Sequence, residues 1–444
     1  MTSHPFTPVP SVDDIRADFP ILAKPVRGQR PLVYLDSGAT SQKPQQVIDA
    51  VSNFYAAQNG AAGRSTYELA DESTRVVDEG RINVAEFVGA QDTNVVFTKN
   101  ATEAINLVSL AIEHAGAIAQ HPLAIGEGDE VVVTRAEHHA NLVPWQQLCQ
   151  RSGATLKWID LDEQGRLDMA TLNVITPATR VVALTHASNV TGAITELGPV
   201  LDAVNAIAGS KAPSVERGGK AIVVLDTCQS SVHIPINFAL LSKAGVDALC
   251  LSAHKMLGPT GVGALVATEE LLDLMPPVLT GGSMIELVSM DSSTFMTGPS
   301  RFEAGTMPMA QIAGWSAALN YIKRCDMSVL REREDRLTLA LLRGMRDMNG
   351  IRILGPADDE SVTSGMRLGV VAFDVGDVHP HDVGQVLDSY GVAVRTGHHC
   401  AQPLHAHFGV RSSARASLGP YSNATDVDRF LEALPQVRHY FGRS

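Results

Sequence analysis

A chain of 444 residues, 45% hydrophobic and 19% charged, is long enough for two domains with their own cores, and its composition argues against a disordered protein. The formal net charge of −13 argues against nonspecific binding to nucleic acid or to an anionic membrane. No apolar run reaches the roughly 18–20 residues that span a bilayer, and Met1–Pro10 lacks the positive start and apolar stretch of a signal peptide, so a cytoplasmic protein is expected.

Residues 1–30 read as an N-terminal arm with a short helix near Val12–Phe19. Short apolar runs of β type then alternate with helical stretches. The runs are Leu32–Leu35, Asn94–Thr98, Glu130–Thr134, Thr155–Ile159, Arg180–Thr185, Ala221–Leu225, Asp247–Ser252 and Gly263–Ala267. The helical stretches include Pro44–Gln58, Thr74–Val88, Thr102–Ala115 and Asn141–Arg151. Continuous apolar strands separated by helices predict an α/β fold with a mostly parallel sheet covered on both faces. Ligands of such sheets sit at the carboxyl ends of the strands.

Ser210–Gly219 reads as an exposed loop, and the polar stretch Thr280–Ser300 marks a domain transition. Helices are expected at Ala310–Arg324 and Leu330–Met348. Strands follow near Ile351–Leu354, Arg367–Phe373 and Val392–Arg395, with a β-like run at Arg411–Leu418 and closing helices at Asp382–Ser389 and Asp426–Leu434. The expected organisation is a large domain over residues 31–300 and a smaller α+β domain over 301–444.

Several groups fall at strand ends. Lys255 follows Asp247–Ser252 and precedes a Gly-Pro-Thr-Gly turn; it is either a solvated loop lysine or an amine placed for a Schiff base with an aldehyde cofactor. Asp226 ends Ala221–Leu225, with Gln229 one turn on. It is either a strand-end cap or a carboxylate that keeps a pyridinium nitrogen protonated, while Gln229 bonds the ring's phenolic oxygen. Asn100-Ala101-Thr102-Glu103 opens a helix whose free amides can cradle a phosphate, or is an ordinary helix start. His138, beyond Glu130–Thr134, can stack on a flat ring or simply pack. Together these groups fit pyridoxal phosphate.

Cys400 lies in Arg395-Thr396-Gly397-His398-His399-Cys400-Ala401-Gln402-Pro403. The five cysteines are scattered and no Cys-x-x-Cys pair occurs, so a single reactive thiol is expected rather than disulfides. Gly397 and Pro403 suggest a loop that moves on an anchored base. Arg395 and protonated His398 and His399 would favour the thiolate. A zinc site built from His398, His399, Cys400, His405 and His407 lacks a second Cys/His pair, so no metal is expected. Arg415 has the fork geometry for a carboxylate, or is a surface arginine.

Jointly these motifs resemble the class II (SufS-type) cysteine desulfurases, pyridoxal-phosphate enzymes of the class-V aminotransferase family. The resemblance runs from Tyr34-Leu35-Asp36-Ser37-Gly38-Ala39-Thr40-Ser41-Gln42-Lys43-Pro44 to the C-terminal helix. It takes in Glu137 to Trp145, Gly258-Pro259-Thr260-Gly261 and Arg301-Phe302-Glu303-Ala304-Gly305-Thr306. It implies a fold-type I transferase whose cofactor, pyridoxal 5'-phosphate, is held by Lys255, Asp226, Gln229 and the stacking His138. Its phosphate would sit among Ala101, Thr102, Ser252, His254 and a Thr306 supplied by the partner of a homodimer. Asn189, Arg395 and Arg415 would bind L-cysteine. Cys400 would take its sulfur as a persulfide, leave L-alanine, and pass the sulfur to a carrier or scaffold protein for iron–sulfur cluster assembly. The family's His-Arg-Gly-x-His run is here Gly63-Arg64-Ser65-Thr66-Tyr67, without either histidine. Alternatives are a selenocysteine lyase or cysteine sulfinate desulfinase of the same fold, or a non-catalytic sulfur carrier or scaffold. The last predicts loss of Lys255 or Asp226, and both are present.

Overall fold

The structure, a computed structural model, describes residues 10–63, 65–207 and 221–442. Arg64 and the expected loop Ser210–Gly219 lie outside the described residues. The strands, in chain order, are β1 (Val33–Tyr34), β2 (Val95–Thr98), β3 (Glu130–Thr134), β4 (Thr155–Ile159), β5 (Thr179–Thr185), β6 (Ile222–Asp226), β7 (Ala248–Ser252), β8 (Gly263–Ala267), β9 (Ile285–Val288), β10 (Ser293–Phe295), β11 (Ile351–Leu354), β12 (Val370–Val375), β13 (Val392–Ala393), β14 (Arg395–Gly397) and β15 (Ser413–Ser417).

The central sheet has seven strands in the order β2-β8-β7-β6-β5-β3-β4. Only β8 runs against its neighbours β2 and β7; the rest are parallel. The period of two along each strand explains why the runs are apolar throughout. On β6, Val223 and Leu225 face one core, and Ile222 and Val224 face the other. The first core takes side chains from helices Gln45–Asn53, Glu68–Val88, Leu197–Ile207 and Met309–Cys325. The second takes them from Ala101–Ala115, Val143–Ser152 and Glu269–Leu274. Because β8 alone is reversed, the other six strands all end on one edge, and that edge carries Thr98, Thr134, Thr185, Asp226 and Ser252.

A second, antiparallel sheet has the order β11-β12-β15-β14. Its core, with Phe373, Leu387, Phe430 and Leu434, also takes Val33 and Leu35 from the start of the chain. β1 pairs with β13 in a parallel ladder of its own. The expected run Val392–Arg395 is therefore broken in two, since Val392–Ala393 pairs with β1 while Arg395–Gly397 pairs with β15. The expected strand from Arg367 starts only at Val370. The Arg367 guanidinium turns inward and donates to the carbonyls of Thr191, Leu368 and Val370. The helix expected at Asp426–Leu434 runs over Ala424–Tyr440, with Pro435 inside it. Thr280–Ser300 holds the hairpin β9–β10, which its polar composition concealed.

One close approach ties the sheet to the site. A Cβ at Gly263, on β8, would sit 2.4 Å from Leu251 O and 2.7 Å from the Cα of Asn100. Asn100 caps the helix Ala101–Ala115, and its side chain accepts from Glu103 N at 3.0 Å. Gly263→Ala should therefore cost about 1–3 kcal/mol of stability and lower cofactor retention. Gly198→Ala, on a helix with nothing within 4 Å of the new Cβ, should be neutral or stabilising. Denaturant unfolding of both variants checks this, and equal midpoints would contradict it.

Candidate active site

A cavity of about 220 Å³ opens at the carboxyl edge of the central sheet. Its wall on that side carries Ala101, Thr102, His138, Asp226, Gln229, Ser252, His254 and Lys255. Asn189 joins it from the loop after β5, and the opposite wall belongs to the second sheet and its loops: Arg395, His399 and Arg415. Apart from Thr306 and Cys400, all the residues expected in the site border this one space. Cys400 follows His399 and is half-buried. Thr306 is exposed and borders a separate cavity beside Gly63 and Met307.

Local structure explains each placement. Asp226 is the last residue of β6, paired with Thr185, and it is buried. Its Oδ1 accepts from Cys228 N at 2.9 Å. Ser252 ends β7, and its hydroxyl accepts from Ala101 N at 2.9 Å, which fixes the helix start against the strand end. Lys255 closes a short turn at Ala253–Lys255. That turn is held by an unexpected element, the strap 36–43. The His254 carbonyl accepts from Ser41 N at 3.0 Å, Ser41 Oγ at 2.9 Å, Thr40 Oγ1 at 3.2 Å and Lys43 Nζ at 3.1 Å. Burial, then Lys255 and Lys43, lowers the His254 pKa to about 4, so its ring is neutral at pH 7.

The strap also reaches the second sheet. Arg415 Nη2 donates to Asp36 Oδ1 at 2.9 Å, and Nη1 to Asn189 O at 2.9 Å. Arg415 is 1% exposed, and its Nε is buried without a partner among the described residues. Burial holds the Asp36 carboxyl above its usual range even beside Arg415. Arg395 lies directly opposite Arg415 in the β14–β15 ladder, so both side chains leave the same face. At Gly38 a Cβ would come within 3.3 Å of the Arg415 guanidinium, so the strap passes close against the arginine. Gln229 Nε2 donates to Gly38 O at 2.9 Å, so the strap also orients a residue expected at the ring.

His138 begins the turn His139–Asn141. Its Nδ1 accepts from Ala140 N at 3.0 Å, which leaves Nε2 to carry the ring proton. Burial first, then Lys255, lowers its pKa to about 4. Beneath it lies Glu137, fully buried and missed by motif reading. Its carboxyl accepts from Thr134 Oγ1 at 2.6 Å, Asn141 Nδ2 at 2.6 Å and Thr185 N at 2.9 Å, linking the ends of β3 and β5 to the histidine turn. Burial pushes its pKa up to about 8.

Two expectations for the cysteine loop need correction. His399 is not a source of positive charge: burial first, then Arg415, lowers its pKa to about 2, and its Nε2 lies 3.0 Å from Ser413 Oγ. Of the three expected sources of charge His399 is thus removed, and one that was not expected appears: Arg415 interacts with Cys400 electrostatically. Nor is the loop tied only at its base. His399 O accepts from Asn189 Nδ2, and Cys400 O accepts from His139 N, both at 2.6 Å. His399 and Cys400 adopt left-handed backbone, with φ 49° and 57°, a conformation that costs a non-glycine residue on the order of 1–2 kcal/mol. Asn189, expected at the substrate, thus spends one amide hydrogen on the loop.

The family model described as aminotransferase class-V matches residues 33–430. The chain belongs to the class-V aminotransferase family. A relative from Mycobacterium leprae, "Probable cysteine desulfurase 2", is 45% identical, with 97% of both chains covered. The cysteine desulfurase of Klebsiella pneumoniae is 40% identical over 97% of this chain and 99% of its own. Among solved structures, the cysteine desulfurase CsdA of Escherichia coli, in an S-sulfonic acid form, is 32% identical and superposes with a TM-score of 0.83. That match covers 98% of this chain and all of CsdA.

The family's cofactor is pyridoxal 5'-phosphate, and the residues fit it. A lysine, a buried strand-end carboxylate, a neutral imidazole and a helix start share one cavity. The unpaired Arg415 Nε leaves a donor for a further anion.

The Glu137 network generates a test. Glu137→Leu fills similar space but leaves three buried donors without an acceptor, each costing about 1–3 kcal/mol. The variant should unfold at clearly lower denaturant and hold less cofactor. An unchanged midpoint would contradict the network.

Proposed function

We propose that the protein is a cysteine desulfurase, with Cys400 as the sulfur acceptor. The observation that carries this is the meeting of two walls in one cavity: Lys255 and Asp226 on one side, and Arg395, Arg415 and the loop of Cys400 on the other. L-cysteine is the substrate and L-alanine the product, and the sulfur supplies iron–sulfur cluster assembly.

In this reading Lys255 anchors the cofactor, Asp226 holds its ring nitrogen and Gln229 its phenolic oxygen. The neutral His138 covers the ring. Ala101, Thr102, Ser252 and the neutral His254 hold the phosphate, with the Thr102 amide at a helix start. When bound, the cofactor supplies an electron sink for the substrate's carbon skeleton. Arg415, with its free Nε, Arg395 and Asn189 orient the substrate carboxylate. The Cys400 thiolate forms an S–S bond to the substrate sulfur. The C–S bond breaks, its electron pair stays with the carbon, and protonation there gives alanine.

The enzyme is a SufS-type homodimer, and Thr306 serves the partner's site. Its exposure, and the exposed Leu287, Val288 and Met290 on the β9–β10 hairpin, support that reading. The persulfide passes to a carrier or scaffold protein. The chain divides into an arm over residues 1–30, a cofactor domain over 31–300 and a smaller domain over 301–444, with the helix Met309–Cys325 packed back on the first core. The setting is the cytoplasm, where a reducing environment keeps Cys400 available. Among the described residues no helix is long and apolar enough to cross a membrane.

Cys400→Ser decides the role of the thiol. The variant should keep the cofactor's absorbance near 420 nm (roughly, for a lysine-bound cofactor) and still bind cysteine, yet form no alanine. Wild-type turnover by this variant would reject the persulfide reading.

A further inference from the structure

His139 follows the ring-covering His138 but serves the cysteine loop. Its backbone N donates to Cys400 O at 2.6 Å, and its Nε2 accepts from Gln402 N at 3.1 Å. One residue thus holds the chain at Cys400 and again two residues later. The rest of the loop has weaker reason to stay put. His399 and Cys400 occupy left-handed backbone that unbranched loops leave when free to do so. Gly397, at φ 115°, offers no stiffness. Gln402 N is the first amide of the short helix Gln402–His407, one of the donors that a helix cannot satisfy itself. The next residue is Pro403, which has no N–H to offer.

We propose that His139 is a positioning residue that fixes the attack geometry of Cys400 by holding the chain at Cys400 and again at Gln402. The inference rests on the desulfurase reading for its kinetic consequence, but the clamp itself is a claim about the loop. The ring can accept from Gln402 only while Nε2 carries no proton. Burial, followed by the nearby His398, lowers the His139 pKa and keeps that lone pair free. Asn189 completes the grip at His399 O. His405 ties Ala401 O at 2.9 Å only within the loop's own helix, so it cannot replace a hold from the large sheet.

The test uses the holoenzyme and two variants. H139A removes the acceptor, and H139Q places an amide oxygen near the former Nε2. The other four cysteines are buried, so iodoacetamide reports on Cys400. H139A should raise the Cys400 alkylation rate about tenfold and lower kcat about 10–100-fold, the scale of a small misplacement of a reacting group. The KM for cysteine and the cofactor absorbance should stay within about twofold. H139Q should recover most of both losses. Alkylation and kcat in H139A within about twofold of wild type, or an H139Q as impaired as H139A, would overturn the proposal. If H139A does not fold, His139→Leu, which fills the space without an acceptor, takes its place in the same comparison. A wild-type enzyme that makes no alanine from cysteine would sink the desulfurase reading, while the alkylation rates would still judge the clamp.

Discussion

The site depends on one buried cation. Arg415 is almost fully enclosed and is balanced by Asp36, 379 residues earlier in the chain. A charge removed from water is costly unless it is paired and hydrogen-bonded. The cost here is met by drawing three distant segments together: the strap 36–43, the turn at Asn189 and the strand β15. The same strap grips the carbonyl of His254 and the amide of Gln229. The arginine suited to a substrate carboxylate and the lysine suited to the cofactor are therefore set by one piece of chain. Moving either would disturb the other.

The two sheets divide the chemistry. The carboxyl edge of the parallel sheet holds the groups for the ring and phosphate, because every strand but β8 ends there. The antiparallel sheet supplies Arg395 and Arg415 from opposed positions on β14 and β15. The cysteine loop joins β14 to the helix Gln402–His407 and crosses back to the first wall, where Asn189 and His139 receive it. Burial sets the protonation of the imidazoles: His138, His254 and His399 are all held neutral. Arg415, which interacts with Cys400, keeps its charge throughout the physiological range.

Much of the large sheet was legible in the sequence, because strands buried on both faces are apolar throughout and end in polar residues. β3, β4 and β8 have the expected bounds, and Lys255 and Asp226 could be picked out as strand-end groups. What stayed hidden depends on pairing across long separations. Asp36 and Gly38 sat in a quoted motif without a role, since nothing local says that their partners are Arg415 and Gln229. Glu137 looked like a polar neighbour of two histidines, yet it is the buried acceptor under their turn. The charge assigned to His399 failed for the same reason: residue type suggests a cation, and burial decides against it.

The most direct measurement is a single turnover followed by mass analysis of the intact chain and its peptides. Holoenzyme given one equivalent of L-cysteine should yield one equivalent of L-alanine and the added mass of one sulfur atom on the peptide that carries Cys400. Pyruvate and free sulfide with Cys400 unmodified, or the added sulfur on Cys149, Cys228, Cys250 or Cys325, would contradict the account.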